Sequence, residues 1–356
     1  VKLTVREDPR SALPLMEDVL RGGAALAPDY PLVFGEAGSG RAVVIEEAGR
    51  VISSCAILER DLRIADRLLR VGLIGSVATA PEHRGRGLAS TVLVEAEAEL
   101  RAHGCVLAML WADSPAYYEG RGYQTVGAER DFLLSPELRA HLPAANSVRV
   151  AQKADLAAMH ALYIRHVQRV ERSEEESAEL YQTPGMDVLV SDGVSGVEAY
   201  ACCGRGGDLV GVVHEWAGET EPVLACLAAH VERAAPGQEL ALMSPHAPDP
   251  VTERLTALGC PSAVGSLGMA KLLDPMTAAE FLSRASAVPL RTSAGSGGVL
   301  LLEAGERSVE VTEAELLGLL LPPHGERSAL ESLECRVGTS FEALPLGAFI
   351  WGLDSI

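Results

Sequence analysis

Apolar positions in the first 150 residues follow two spacings. Residues 71–80 form a largely continuous apolar run, which predicts a strand. Pro81 ends it, because proline cannot donate to a ladder. Leu88, Val92, Ala96 and Leu100 then recur every four residues, with Ala89 and Leu93 beside them, which predicts an amphipathic helix closed by Gly104. Residues 105–111 are again continuously apolar, as in a buried strand. Upstream, residues 2–6 alternate as a strand and 11–20 make a short helix. Residues 21–40 read as a loop, and 41–47 and 51–59 are strands joined at Ala48-Gly49-Arg50. Residues 61–70 extend a hairpin into the central strand. Phe132-Leu133-Leu134 is one more strand, and 135–145, with two prolines, is a linker.

The next stretch repeats this layout. Residues 148–150 open it as a strand, and 155–170 read as a helix with Leu156, Met159, Leu162 and Tyr163 on one side. Residues 188–190, 196–203 and 209–216 predict a meander with turns at Asp192-Gly193 and 204–208. Thr220 caps a helix with Val223, Leu224, Leu227 and Val231 on its apolar face. A strand at 239–243, a helix from Asp249-Pro250 to Gly259 and a strand at 264–273 follow. From Met276 the pattern changes to a helix at 278–287, a Gly/Ser loop at 288–298 and a hairpin at 299–302 and 308–311. Thr312 and Glu315 form a capping box for a helix ending at Pro322-Pro323. The expected class is α/β (α+β): two units with mixed central sheets flanked by helices, residues 1–146 and 147–275, then a small α+β domain at 276–356. The final stretch, 344–356, is apolar and aromatic, unlike the polar end expected of a frayed chain.

The chemistry concentrates where the first strand meets its helix. The first backbone N–H groups of a helix have no internal partner, so a helix start after a glycine loop favours an anion. Gly85 and Gly87 permit close approach of the backbone, and Arg84 and Arg86 add positive charge. Arg84-Gly85-Arg86-Gly87-Leu88-Ala89 fits R-x-x-G-x-A, and Tyr118-Glu119-Gly120-Arg121-Gly122-Tyr123 fits Y-E-x-x-G-[FY]. Both in order, with strand, loop, helix and strand between them, resemble the GNAT acyltransferase superfamily. The Walker A reading fails because its Lys-Ser/Thr is missing, and the dinucleotide reading because the G-x-G-x-x-G spacing is missing.

The resemblance implies acetyl-CoA as co-substrate, with Val77, Ala78 and Thr79 along pantetheine and Arg84, Gly85, Arg86, Gly87, Leu88, Ala89 and Ser90 around the pyrophosphate. It implies Tyr118 as general acid, with Tyr117 as its substitute. It implies no metal. Where many family members have an asparagine beside the cofactor, this chain has Trp111. The second unit has no R-x-x-G-x-A and carries Glu219 and Glu221 at the matching helix start, so it reads as a copy without a cofactor, or as an unrelated α/β domain. Two such folds and a small tail domain resemble the enhanced-intracellular-survival (Eis) acetyltransferases, whose tail is similar to a sterol-carrier fold. In those enzymes the terminal carboxylate enters the first active site. The same role falls here on Ile356, the alternative being a tail that only completes the third domain.

Composition narrows the partners. The net charge of −19 disfavours nucleic acid and anionic membranes and suits a cationic amine, although acidity also serves solubility. Seven cysteines without a C-x-x-C pair fit reduced thiols, hence a cytoplasmic setting. No apolar run is long enough to span a bilayer. The expected activity is acetyl transfer from acetyl-CoA to a primary amine on a small molecule or peptide, by direct attack in a ternary complex. The other reading is a CoA-binding regulatory or scaffold protein. A homo-oligomer is compatible with either.

Overall fold

The computed structural model describes residues 2–64, 66–194, 196–295, 299–341, 344 and 346–356. Two mixed sheets and a smaller third one carry the chain, with helices packed on their faces. The first sheet runs Lys2–Arg6, Arg41–Glu47, Arg50–Ile64, Arg67–Thr79, Leu107–Leu110, Gly268–Leu272, Gln124–Val126. Gln168–Val170 adds to the far end of Arg50–Ile64. The second sheet runs Ser262–Gly265, Glu129–Leu134, Leu240–Pro245, Val212–Gly218, Gly196–Cys203, Asp187–Gly193, Val148–Val150. The third is antiparallel, from Arg291–Ala294, Val299–Ala304 and Arg307–Thr312.

The helix Leu88–Ala102 follows the four-residue spacing of its sequence. Val92, Leu93, Ala96 and Leu100 are buried against the first sheet. A fully buried leucine or valine of this kind contributes about 1.5–3 kcal/mol. Gly72 makes the fit possible, since a Cβ there would lie 2.5 Å from both Leu100 methyl carbons.

The two large sheets exchange strands, which the sequence reading did not foresee. Glu129–Leu134, read as the last strand of the first unit, pairs with Leu240–Pro245 and Ser262–Gly265 in the second sheet. Gly268–Leu272, read as the last strand of the second unit, sits between Leu107–Leu110 and Gln124–Val126 in the first. The two crossings lie side by side: Leu267 N–H donates to Val126 O at 3.0 Å. Gly127, at φ +66°, takes a backbone conformation that side chains disfavour, and a Cβ there would be 2.7 Å from the Leu267 Cβ.

Other local expectations change too. The helix expected over 155–170 ends at Tyr163, and its last residues are the strand Gln168–Val170. Residues 21–40 include the short helix Pro31–Phe34. The loop expected at 288–298 contains the strand Arg291–Ala294, while 296–298 lie outside the described residues. Helices Glu174–Leu180 and Ser328–Val337 were not anticipated. The Thr312/Glu315 capping box forms as expected, with Glu315 N–H donating to Thr312 Oγ1 at 3.1 Å.

The tail closes the structure. Phe349, Ile350, Trp351, Gly352, Leu353 and Asp354 are buried. Trp351 packs on Phe349, Trp216 and His166, with ring centroids 4.9, 5.4 and 4.4 Å away. Pro345, part of this stretch in the sequence reading, lies outside the described residues.

Candidate active site

Strand Arg67–Thr79 pairs in parallel with Leu107–Leu110 only from Val71 to Leu73, and the two then diverge. On its other edge its register against Arg50–Ile64 shifts between Ser54 and Ala56. Ser76 stands opposite that irregularity at φ +50°, an uncommon conformation for a residue with a side chain. The widened gap opens a cavity of about 730 Å³ whose walls include Gly75, Val77, Trp111, Tyr117, Tyr118 and Ile356.

Beyond the strand, Gly85 (φ +73°) and Gly87 (φ +76°) turn the chain into the helix Leu88–Ala102. Gly87 is the N-cap, and no side chain among the described residues caps that end, so its first N–H groups face outward. They border a second cavity of about 560 Å³, lined among others by Thr79, Arg84, Gly85, Gly87, Ser90 and Arg121. Leu20, Val77, Arg84, Ala89 and Tyr117 belong to both cavities, so the two adjoin.

Of the residues expected around the cofactor, Val77, Thr79, Arg84, Gly85, Gly87, Leu88, Ala89 and Ser90 line this second cavity. Arg84 is fixed by donation from Nε to Thr79 O at 3.3 Å. Arg86 turns instead toward His83, 2.5 Å from its Nδ1, and toward Glu47 at 3.6 Å. The Ala78 side chain is buried in the core, and its carbonyl accepts from Ser53 Oγ at 3.2 Å.

Arg121 takes the position at the cavity wall that the motif reading gave to Arg86. Its Nε and Nη2 reach Ser90 Oγ at 3.0 and 2.6 Å, and its guanidinium lies 3.5 Å from the Tyr117 ring centroid. Its position in the motif is an unspecified spacer, so only its charge signalled it.

Tyr118 stands edge-on to Tyr117 and Tyr123, at 5.1 and 5.9 Å between centroids. Burial raises its phenol pKa above the usual 10. The group therefore stays protonated at neutral pH, as a proton donor must. Ile356 lines the same cavity: a Cβ on Gly75 would be 2.6 Å from both the carbonyl carbon and oxygen of Ile356. Glycine at 75 is what admits it. Trp111 walls this cavity and donates from Nε1 to Leu267 O at 2.9 Å, while exposed Asp113 adds a carboxylate at the rim.

The second sheet repeats the divergence without the loop. Val212–Gly218 pairs in parallel with Leu240–Pro245 only at Val212 and Val213, and Trp216 Nε1 bridges the gap to Met243 O at 3.2 Å. The helix that follows, Thr220–Arg233, has Glu219 as N-cap and Glu221 in its first turn.

Residues 32–126 match the family model described as "Acetyltransferase (GNAT) domain". No curated protein matches the sequence. Solved structures similar to the chain include a GCN5-related N-acetyltransferase from Anabaena variabilis, at 13% identity and TM-score 0.68 with all of both chains covered. Another from Kribbella flavida has 17% identity and TM-score 0.65 over the same coverage. Eis1 from Mycobacterium abscessus has 14% identity and TM-score 0.59, covering 98% of this chain and 96% of that one. The fold class is therefore the α/β arrangement of mixed sheets flanked by helices that the sequence implied. Among the described residues, no helix is long and apolar enough to cross a membrane. Residues 32–126 thus match an acetyltransferase domain of the GNAT family, on a chain whose fold over its whole length is similar to that of GCN5-related N-acetyltransferases.

Proposed function

We propose that the protein transfers the acetyl group of acetyl-CoA to a primary amine, by direct attack within a ternary complex. The observation that carries this is the junction of two cavities at Val77 and Tyr117: one edged by a helix start, glycines and Arg84, the other holding Tyr118. The first suits the pyrophosphate, with Arg84 and Arg121 as counter-charges. The diverging strands leave room for the pantetheine arm beside Val77 and Thr79, which brings the thioester to the cavity that holds Tyr118.

There an uncharged amine attacks the thioester carbonyl. The C–N bond forms, the C–S bond breaks, and the Tyr118 hydroxyl gives its proton to the departing sulfur. The amine proton needs an acceptor. Where Ile356 carries the free carboxylate, its position over Gly75 suits that task, and the same charge would hold a cationic acceptor. Asp113 at the rim and the acidity of the chain favour amines of that kind, whether small molecules or peptides.

The direct test is release of CoA from acetyl-CoA with a panel of a polyamine, an aminoglycoside and a lysine peptide. Transfer to one class supports the reading and identifies the acceptor. Tight binding of acetyl-CoA with transfer to none overturns it in favour of a regulatory CoA-binding protein.

Two further results are expected. Gly87→Val puts a β-branched residue at φ +76° on the cavity wall, where its Cβ meets no protein atom within 4 Å but does meet the space for phosphate. Acetyl-CoA affinity should fall by about tenfold or more, about 1.4 kcal/mol, with the fold intact by circular dichroism. Calorimetric titration of the full chain should give one acetyl-CoA site per chain. The acidic helix start at Glu219 and Glu221 and the Trp216 bridge disfavour a second. A stoichiometry of two removes this assignment.

A further inference from the structure

Arg172, Glu215 and Asp354 form an ion cluster whose three side chains are all fully buried. It lies outside both cavities. Arg172 Nε and Nη2 donate to Asp354 Oδ1 and Oδ2, each at 2.6 Å. Its Nη1 and Nη2 reach Glu215 at 3.3 and 2.7 Å. The guanidinium lies 4.0 Å from the Tyr163 ring centroid, and the Tyr163 hydroxyl donates to Asp354 Oδ2 at 2.9 Å. Tyr200 closes the other end by donating to Glu215 Oε1 at 2.9 Å. Both oxygens of Asp354 are thereby occupied by groups of the second unit.

The same unit grips the backbone on either side of Asp354. Arg205 Nη1 donates to Gly352 O at 2.5 Å and to Ser355 O at 3.1 Å. Gly352 packs so closely on His214 that a Cβ would lie 2.5 Å from the His214 Cβ. Ile356 is two residues beyond Asp354, a span of at most about 7 Å. Whatever fixes Asp354 therefore bounds how far Ile356 can move from its place against Gly75.

A buried ion pair adds little net stability over well-packed apolar residues, because desolvation offsets the attraction. What bidentate geometry supplies is position, since it accepts one register of the tail and rejects its neighbours. We infer that Arg172 is a positioning residue for the acceptor cavity: through Asp354 it holds the tail so that Ile356 lines the cavity that Tyr118 also lines. This assigns the second unit a task in place of cofactor binding, and it rests on the acetyl-transfer reading for its effect on turnover.

The test uses the full chain with Asp354→Asn. That change leaves Arg172 paired one-to-one with Glu215 and keeps an oxygen for Tyr163, but it turns an amide toward the guanidinium. Hydrogen exchange of the amides of residues 350–356 should rise at least tenfold. Acetyl-CoA affinity should stay within about twofold of the parent, and kcat/KM for the best amine of the panel should fall at least tenfold. The acid limb of its pH profile should shift as well, which a merely structural change would leave in place. Arg172→Lys, which keeps the charge and loses the two-pronged contact, should fall between Asp354→Asn and the parent.

Unchanged exchange in a folded Asp354→Asn chain overturns the anchoring. Raised exchange with unchanged kcat/KM and pH profile overturns the link to the cavity. A parent chain that transfers to no amine overturns the transfer reading alone, because exchange is read without any acceptor.

Discussion

Gly75→Ala should lower turnover with a primary amine by about a hundredfold or more, the low end of what loss of a proton acceptor costs. A hundredfold corresponds to about 2.7 kcal/mol of activation free energy. The cause is steric. The new methyl carbon would stand 2.6 Å from the carbonyl carbon and oxygen of Ile356 and 3.0 Å from its Cγ1, so Ile356 must shift from its place. CoA affinity, set mainly at the phosphate cavity, should change by less than about threefold. Steady-state kinetics beside a calorimetric titration check both numbers. A second chain without Ile356 completes a double-mutant cycle. If Ile356 is what the methyl displaces, Gly75→Ala should have almost no further effect in that background. Additive losses would mean that the methyl acts by another route, such as on the acetyl group, and not by displacing Ile356.

Tyr118→Phe should reduce kcat by roughly a hundredfold while acetyl-CoA binds as before, because only the proposed donor to sulfur is removed. The pH dependence carries the more specific signature. Burial raises the Tyr118 pKa, so the phenol keeps its proton above pH 10, where an exposed tyrosine would lose it. The parent enzyme should therefore hold its kcat into that range before an alkaline limb appears, and Tyr118→Phe should lack the limb. Tyr117 stands at the junction of the two cavities, with its ring under the Arg121 guanidinium that edges the phosphate side. Tyr117→Phe should accordingly change acetyl-CoA affinity more than kcat. The reverse pattern in the two variants would exchange their roles.

The sequence speaks clearly where chemistry is contiguous. Residues 84–90 are neighbours in the chain, so their glycines, arginines and following helix could be read together, and eight of the ten candidate cofactor residues line one cavity. Arg86 lines neither cavity in this structure, because Glu47 and His83 hold its guanidinium. Arg121 and Arg172 were passed over for a different reason. Each becomes meaningful only through a partner far along the chain, Ser90 for one and Asp354 for the other. The same limit hid the exchanged strands. Phe132, Leu134, Met269 and Ala270 have the apolar character of buried strand positions, and that character does not say which sheet buries them. The helix expected past Tyr163 reflects the lack of Gly or Pro between 164 and 170, where pairing with Arg50–Ile64 overrides local preference.

The exchanged strands also set an order on the ribosome. Gln124–Val126 emerges early, but the strand that pairs it with Leu107–Leu110 is Gly268–Leu272. Roughly 140 residues separate them, which is about 7 to 28 s of synthesis at 5–20 residues per second. Through that interval the nascent first sheet has two open edges facing one another, each ready to pair with any extended segment nearby. Glu129–Leu134 waits as well, since its partners Leu240–Pro245 and Ser262–Gly265 also come late. A message cut between residues 130 and 260 would thus yield a chain with unpaired edges in both halves, prone to aggregate rather than to fold as an autonomous domain. The acetyltransferase motif would be intact in such a chain, and the enzyme would not.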